Sequence, residues 1–233
     1  MTEAAANGEP AGGPSARDGL AEGRLEQLRG RVAAMGDLVD MAIARAMWGL
    51  VVRDRALCSA VVAEDERVDA LRDEVRRAAL ELVGGGASAH VVREVLALVE
   101  VAEELERMGD ACVEIAEAGR DLTGMPELER PYVALPGLSE LCCEQVHDLI
   151  LAAVVGRDPM RAAEIGRRAE RIAAVEARLV SDLVSHMAQD PGSVERASRL
   201  VLVAVQLARI AERTTRVADT LELRSEPPHA RVR

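Results

Sequence analysis

The residues of this sequence best suited to chemistry are six acids in two evenly spaced runs. Asp65, Asp69 and Asp73 recur every four residues, and Glu106, Asp110 and Glu114 do the same further along the chain. On an α-helix a four-residue step is little more than one turn, so each run stacks like charges along one flank. Such pairs destabilise a helix by about 0.2–0.5 kcal/mol each. A shared cation would remove the repulsion, and clustered carboxylate oxygens without His or Cys are hard donors. They suit Mg, Mn, Ca or ferric iron better than zinc or copper. The competing reading is a solvated flank opposite a core stripe, where soluble helices ordinarily carry charge. Glu106, Asp110, Asp65 and Asp69 have no basic residue at the plus-four position, which a stabilising surface pattern would supply. Gly109 reads as a small residue permitting close helix approach on the core side. Other spacings carry less. Glu144 and His147 form one Glu-x-x-His pair, whereas a di-iron bundle needs two such pairs and two further carboxylates. Asp182 and His186 share a helix face, as a local hydrogen bond would. No Ser/His/Asp array, P-loop or G-x-G-x-x-G occurs, so nothing points to hydrolysis or nucleotide binding.

The elements that must position the acids are helices. Apolar residues recur at three- and four-residue steps from Arg24 onward. Phe is absent, and Trp48 and Tyr132 are the sole aromatics, so the core is built from aliphatic side chains that favour close-packed helices. The breaks predict six helices. The first runs from about Arg24 to Val52, and the second from an N-cap at Asp54 to the glycine run beginning at Gly84. The third starts near Ser88 and ends before Gly124. After a loop holding Pro126, Pro131 and Pro136, the fourth runs from about Leu138 to Val155. The fifth starts at Asp158-Pro159 and ends at Gln189, and the sixth runs from about Pro191-Gly192 to Leu223. Residues 1–20 and 225–233 read as flexible tails, 21–123 and 137–224 as three-helix units, and 124–136 as the linker. The expected fold is all-α, two tandem three-helix bundles.

The halves superimpose in sequence, which is the test that repeat logic asks for first. "RDRALCSAVVAEDERVDALRDEV" from Arg53 lies over "RDPMRAAEIGRRAERIAAVEARL" from Arg157 at an offset of 104, and "LERMGDACVEIAE" from Leu105 lies over "LARIAERTTRVAD" from Leu207 at an offset of 102. In that register Asp65, Asp69 and Asp73 become Ala169, Ala173 and Ala177, while Glu106, Asp110 and Glu114 become Ala208, Glu212 and Arg216. The two ladders disappear together. A shared ligand in the first half would produce that pattern, and so would an alanine face in the second half packed against a partner subunit.

Charge and cysteine usage narrow the setting. A net charge of -11 with Arg as the only strong base repels phosphate backbones and anionic headgroups, so nucleic acid is not an expected partner. Cys58, Cys112, Cys142 and Cys143 show no C-x-x-C spacing, which fits a reducing cytoplasm. No apolar window of membrane-spanning length appears.

With these residues assembled, "AEDERVDALRDEV" followed after a helix-length interval by "LERMGDACVEIAE" resembles the PhoU family. The resemblance covers about Gly30 to Leu223. It implies tandem three-helix bundles with an E/D-x-x-x-D signature in each half and metal ions, often clustered, on the acidic surface. It also implies partnership with the ATPase of a phosphate ABC transporter and with a membrane sensor histidine kinase, to repress phosphate-starvation genes. Carried over, the signature falls on Glu106 and Asp110, with Asp69 and Asp73 from the preceding helix, and Glu114 stands where the family usually has Asn. The second signature is lost, reading Ala208-x-x-x-Glu212 with Ala173 on the fifth helix. The expectation is a cytoplasmic regulator, peripheral to the membrane through its partners and without enzymatic activity. Its proposed ligands are Asp65, Asp69, Asp73, Glu106, Asp110 and Glu114, for Fe, Mn, Mg, Zn or Ca. A homodimer fits as well, and the alternatives are a metal-free helical adaptor and a metal-dependent enzyme.

Overall fold

The computed structural model describes residues 16–126, 134–155 and 159–223. Pro131, Tyr132, Asp158 and both termini beyond these limits lie outside the described residues. Among the described residues there are helices and no strands. α1 spans Ala16–Val51, α2 Arg55–Glu64, α3 Glu66–Gly84, α4 Ala89–Leu122, α5 Leu135–Val154, α6 Pro159–Gln189 and α7 Val194–Leu223, with a 3-10 turn at Pro191–Ser193.

Local chemistry sets most of these limits. The Asp54 carboxylate accepts from the amides of Ala56 and Leu57 at 2.8 and 3.1 Å and starts α2. Ser88 Oγ accepts from Val91 N at 3.4 Å and starts α4, and Asp190 accepts from Gly192 N at 3.0 Å ahead of α7. Pro159 opens α6, where its missing N–H is not needed. Three boundaries differ from the expectation. α1 begins at Ala16, inside the stretch read as a tail, because a helix anchored by buried Leu25 and Leu28 propagates backward at little cost. α5 begins at Leu135, which is fully buried, with Pro136 in its first turn. The second expected helix is interrupted at Asp65, whose carbonyl accepts from both Val68 N at 2.9 Å and Asp69 N at 3.2 Å.

The turn between α1 and α2 is held from across the bundle. Arg53 adopts a left-handed φ of 56°. Its guanidinium donates to the carbonyls of Leu122 at 2.8 Å, Thr123 at 3.2 Å and Met125. These carbonyls at and beyond the end of α4 would otherwise lack partners, and a cation there also suits the helix dipole.

In each half the outer rod touches only its own unit. α2 and α3 pack on α1 and α4, and α6 packs on α5 and α7. α1 and α4 in turn pack on α5 and α7, so the four inner helices enclose one contiguous aliphatic core spanning both halves. Polar ties fasten these inner helices both within a unit and across the boundary. Gln145 Nε2, wholly buried, donates to Ala211 O at 2.9 Å within the second unit, and Arg213 pairs with the buried Glu104 at 3.0 Å between units.

Gly36 shows how close the inner helices stand. A β-carbon there would lie 2.3 Å from Ile150 Cγ1 and 2.6 Å from its Cδ1, whereas one at Gly30, also on α1, would meet nothing within 4 Å. Gly→Ala in a helix interior gains about 0.5–1 kcal/mol, and overpacking a core costs about 1–3 kcal/mol. We expect Gly30→Ala to raise stability and Gly36→Ala to lower it by about 1 kcal/mol. Urea midpoints check both, with Ile150→Val expected to recover part of the Gly36→Ala loss.

Candidate functional site

The acids meet where the α2–α3 junction crosses α4. Leu105, Met108 and Cys112 of α4 are fully buried, which turns Glu106 and Asp110 onto the flank beside α3. Opposite them, Val68 and Val75 bury one stripe of α3 and leave Asp69 partly exposed and Asp73 exposed. Asp65 occupies the junction itself and is half-buried. Its Oδ1 lies over Gly109, 2.8 Å from where a β-carbon would stand, and Val68 Cγ1 lies 3.7 Å from that point. Gly109 therefore does permit close approach, but what approaches is a carboxylate as well as a core valine.

The electrostatics follow from this placement. Burial, then the negative charges of Asp110, Asp69 and Glu106, push the Asp65 carboxyl up to about 6. Burial and Asp110 likewise raise Glu106, against an opposing pull from Arg72. Arg72 is the residue that the acidic spacing did not announce. It pairs with Asp69 at 3.2 Å, with Asp73 at 3.2 Å and, across the helix boundary, with Glu106. Burial disfavours its charge, but the surrounding carboxylates outweigh that and raise its pKa. A search for bases at the plus-three position from Asp69, rather than only at plus-four, would have found it. Arg76 extends the same contact to Glu103 at 3.3 Å.

Asp65, Asp69, Glu106 and Asp110 thus share one electrostatic field, and Asp73 joins through Arg72. Glu114 does not join. It accepts a hydrogen bond from the buried Gln206 side chain on α7, a contact between residues far apart in sequence. Among the described residues no three His, Cys, Asp or Glu side chains converge closely enough to ligate one ion as placed. Arg72 supplies positive charge among the outer acids and leaves Asp65 without a basic partner in this set.

The equivalent face of the second unit is built differently. Ala173, Ala177, Glu212 and Arg216 are exposed and Ala169 is half-buried. The ionic centre there is Arg168, a buried guanidinium on α6 that meets Asp148 at 2.7 Å, Glu144 at 3.2 Å and Glu164 at 3.8 Å. Glu144, the acid of the Glu-x-x-His pair, is used in that network.

Two tandem three-helix units on a shared core, with a carboxylate face kept on the first alone, define an all-α repeat protein whose distinctive surface is ionic. The PhoU domain model matches residues 32–119 and 135–221, one copy per unit, and the chain belongs to the PhoU family. It is 28% identical over 196 residues to the phosphate-specific transport system accessory protein PhoU homolog of Zymomonas mobilis, covering 84% of this chain and 82% of that protein. A relative of the same description from Rhizobium meliloti is 27% identical, covering 84% and 83%. The fold matches the crystal structure of PhoU from Pseudomonas aeruginosa with a TM-score of 0.82 at 20% identity, over 87% of this chain and 97% of that one.

The position of Asp65 sets a pH signature. Its folded-state pKa of about 6 exceeds the ordinary 3.8. The folded chain therefore holds this proton more tightly, and stability falls as pH rises between those values. The penalty is complete above about pH 6. We expect Asp65→Asn to raise stability at pH 7.5 by on the order of 1 kcal/mol after solvent screening, with no gain at pH 3.5. Paired denaturation curves across this range test it.

Proposed function

We propose that this protein is a cytoplasmic regulator of phosphate uptake that represses phosphate-starvation signalling through protein–protein contacts. Its partners in this reading are the ATPase of a phosphate ABC transporter and a membrane sensor histidine kinase, and a cation on the acidic face tunes the docking. Two supports exist for the phosphate role: membership of the PhoU family, and relatives named as accessory proteins of a phosphate-specific transport system. Among the described residues no helix is long and apolar enough to cross a membrane. Contact with membrane machinery would then run through partners.

One observation carries the cation part: half-buried Asp65, seated over Gly109, shares its field with Asp69, Glu106 and Asp110. A carboxylate raised in this way favours either a proton or a positive ion. The donor chemistry fits a hard divalent or ferric ion, which these four acids would hold once the Arg72 guanidinium moved aside. Bound there, the ion would neutralise the face and stiffen the junction of α2 and α3 against α4, giving partners a less repulsive surface. Neither a nucleophile–base pair nor a general base beyond the ligands supports an enzymatic reading. A second reading, the metal-free adaptor, draws on the same structure. Arg72 already links Asp69, Asp73 and Glu106 and serves as a resident counter-charge.

Elemental analysis and titration with Mn or ferric iron separate the two. The parent should carry metal, Glu106→Gln/Asp110→Asn should lose at least about tenfold in affinity, and Arg72→Gln should gain affinity. Equal metal in parent and double variant would sink the ligand assignment and leave the adaptor. Pull-down of the transporter ATPase and of the kinase, before and after chelation, then tests the docking. We expect capture to weaken on chelation and to recover when the metal is returned.

A further inference from the structure

The second half of α1, with Val52 just past its end, carries an apolar stripe left exposed among the described residues. Met41, Trp48, Val51 and Val52 recur at helical spacing and are 40%, 60%, 40% and 43% exposed. Beside this stripe, α1 and α5 enclose an open groove of about 650 Å³, floored by Met47 and Cys143 and walled by Trp48, Val51 and Pro136. That volume is in the usual range for a ligand or peptide site, and an exposed Trp beside a buried Met is typical of an interface anchor.

The rim is acidic. Glu140 and Glu144 project from α5 one turn apart on the groove's edge. Asp40, one turn before Ala44 on α1, does not line the groove; its Oδ1 is buried without a hydrogen-bond partner, and its backbone carbonyl accepts from Cys143 Sγ at 3.9 Å. Arg168 reaches Glu144 at 3.2 Å but is shared with Asp148 and Glu164. Arg45 is engaged by Glu64. The groove is thus apolar along its floor and negative along its edges.

We infer that this groove docks an amphipathic helix of a partner protein, one whose apolar face is flanked by Arg or Lys. The apolar stripe fits side chains at i, i+3 or i+4, and i+7, the spacing of helix-in-groove recognition. The acidic rim selects a basic flank and repels anionic headgroups. A second copy of this chain is disfavoured for the same reason, since 40 acids outnumber 29 arginines. The groove shares no lining residue with the acidic face of α3 and α4, so the inference stands apart from the cation reading.

Trp48 is the only tryptophan in the sequence, so its emission reports on the groove directly. The probe is a synthetic helix with Leu at i, i+3, i+4 and i+7 and Arg on both flanks, compared with a twin carrying Glu in place of Arg. The basic peptide should shift Trp48 emission to the blue and saturate, and the acidic twin should not. Glu140→Arg should weaken the basic peptide by about tenfold or more. Glu81→Arg, the same charge change on α3, should leave it unchanged. Trp48→Ala, read by anisotropy of labelled peptide with helicity checked by circular dichroism, should lose about tenfold or more. Equal response to both peptides, or equal effects of Glu140→Arg and Glu81→Arg, would overturn the proposal. So would an emission shift that follows protein concentration alone, or one that anionic vesicles produce and the basic peptide does not.

Discussion

Close packing around α4 is the constraint on which the rest of this molecule depends. Without Phe, the core is filled by Leu, Val, Ile, Met and Ala, whose smaller volumes reach normal density only when helices approach closely. α4 meets α1, α2 and α3 on its own side and α7 across the repeat boundary. Its fully buried Leu105, Met108 and Ile115 leave no freedom to rotate about the axis. Once those side chains point inward, the flanks are fixed. Glu106 and Asp110 face the α2–α3 rod, while Glu104 and Glu114 face α7, where Arg213 and Gln206 receive them.

That rotation explains why one evenly spaced acidic run serves two ends. Glu106 and Asp110 add to a field that raises Asp65, and Glu114 helps to join the units. Within the field, desolvation and like charge work against Asp65, and the counter-charge of Arg72 is drawn to Asp69, Asp73 and Glu106. In the second unit the carboxylates of Asp148 and Glu144 each have a cation beside them in Arg168. The first unit keeps an unbalanced one, and the imbalance coincides with the interruption of the helix and with a glycine that admits the carboxylate.

The two halves therefore share a scaffold and differ in use. The aliphatic register is kept in both, because α1, α4, α5 and α7 enclose a single core and a change in any one stripe would open a cavity in it. The outer rods are free of that demand on their solvent side. There α3 carries the acids and α6 carries exposed alanines, and the groove beside Trp48 forms only where α1 of one unit meets α5 of the other.

Helical periodicity, the cap at Asp54 and the first-turn proline at Pro159 determined an all-α architecture because they act within a few residues of one another, and the internal repeat, read by direct comparison of the halves, made it tandem. The motif joining "AEDERVDALRDEV" to "LERMGDACVEIAE" was sufficient for the family. Grouping Asp65, Asp69, Glu106 and Asp110 was legible too, since antiparallel neighbours with fixed stripes leave few ways to orient their flanks. What only the tertiary structure decided were contacts between residues distant in sequence. Arg72 reaches Glu106, Gln206 removes Glu114 from the set, Asp65 sits over Gly109, and α1 joins α5 to make a groove. Each depends on the distance and rotation between packed helices, which core volumes set jointly and no local spacing encodes.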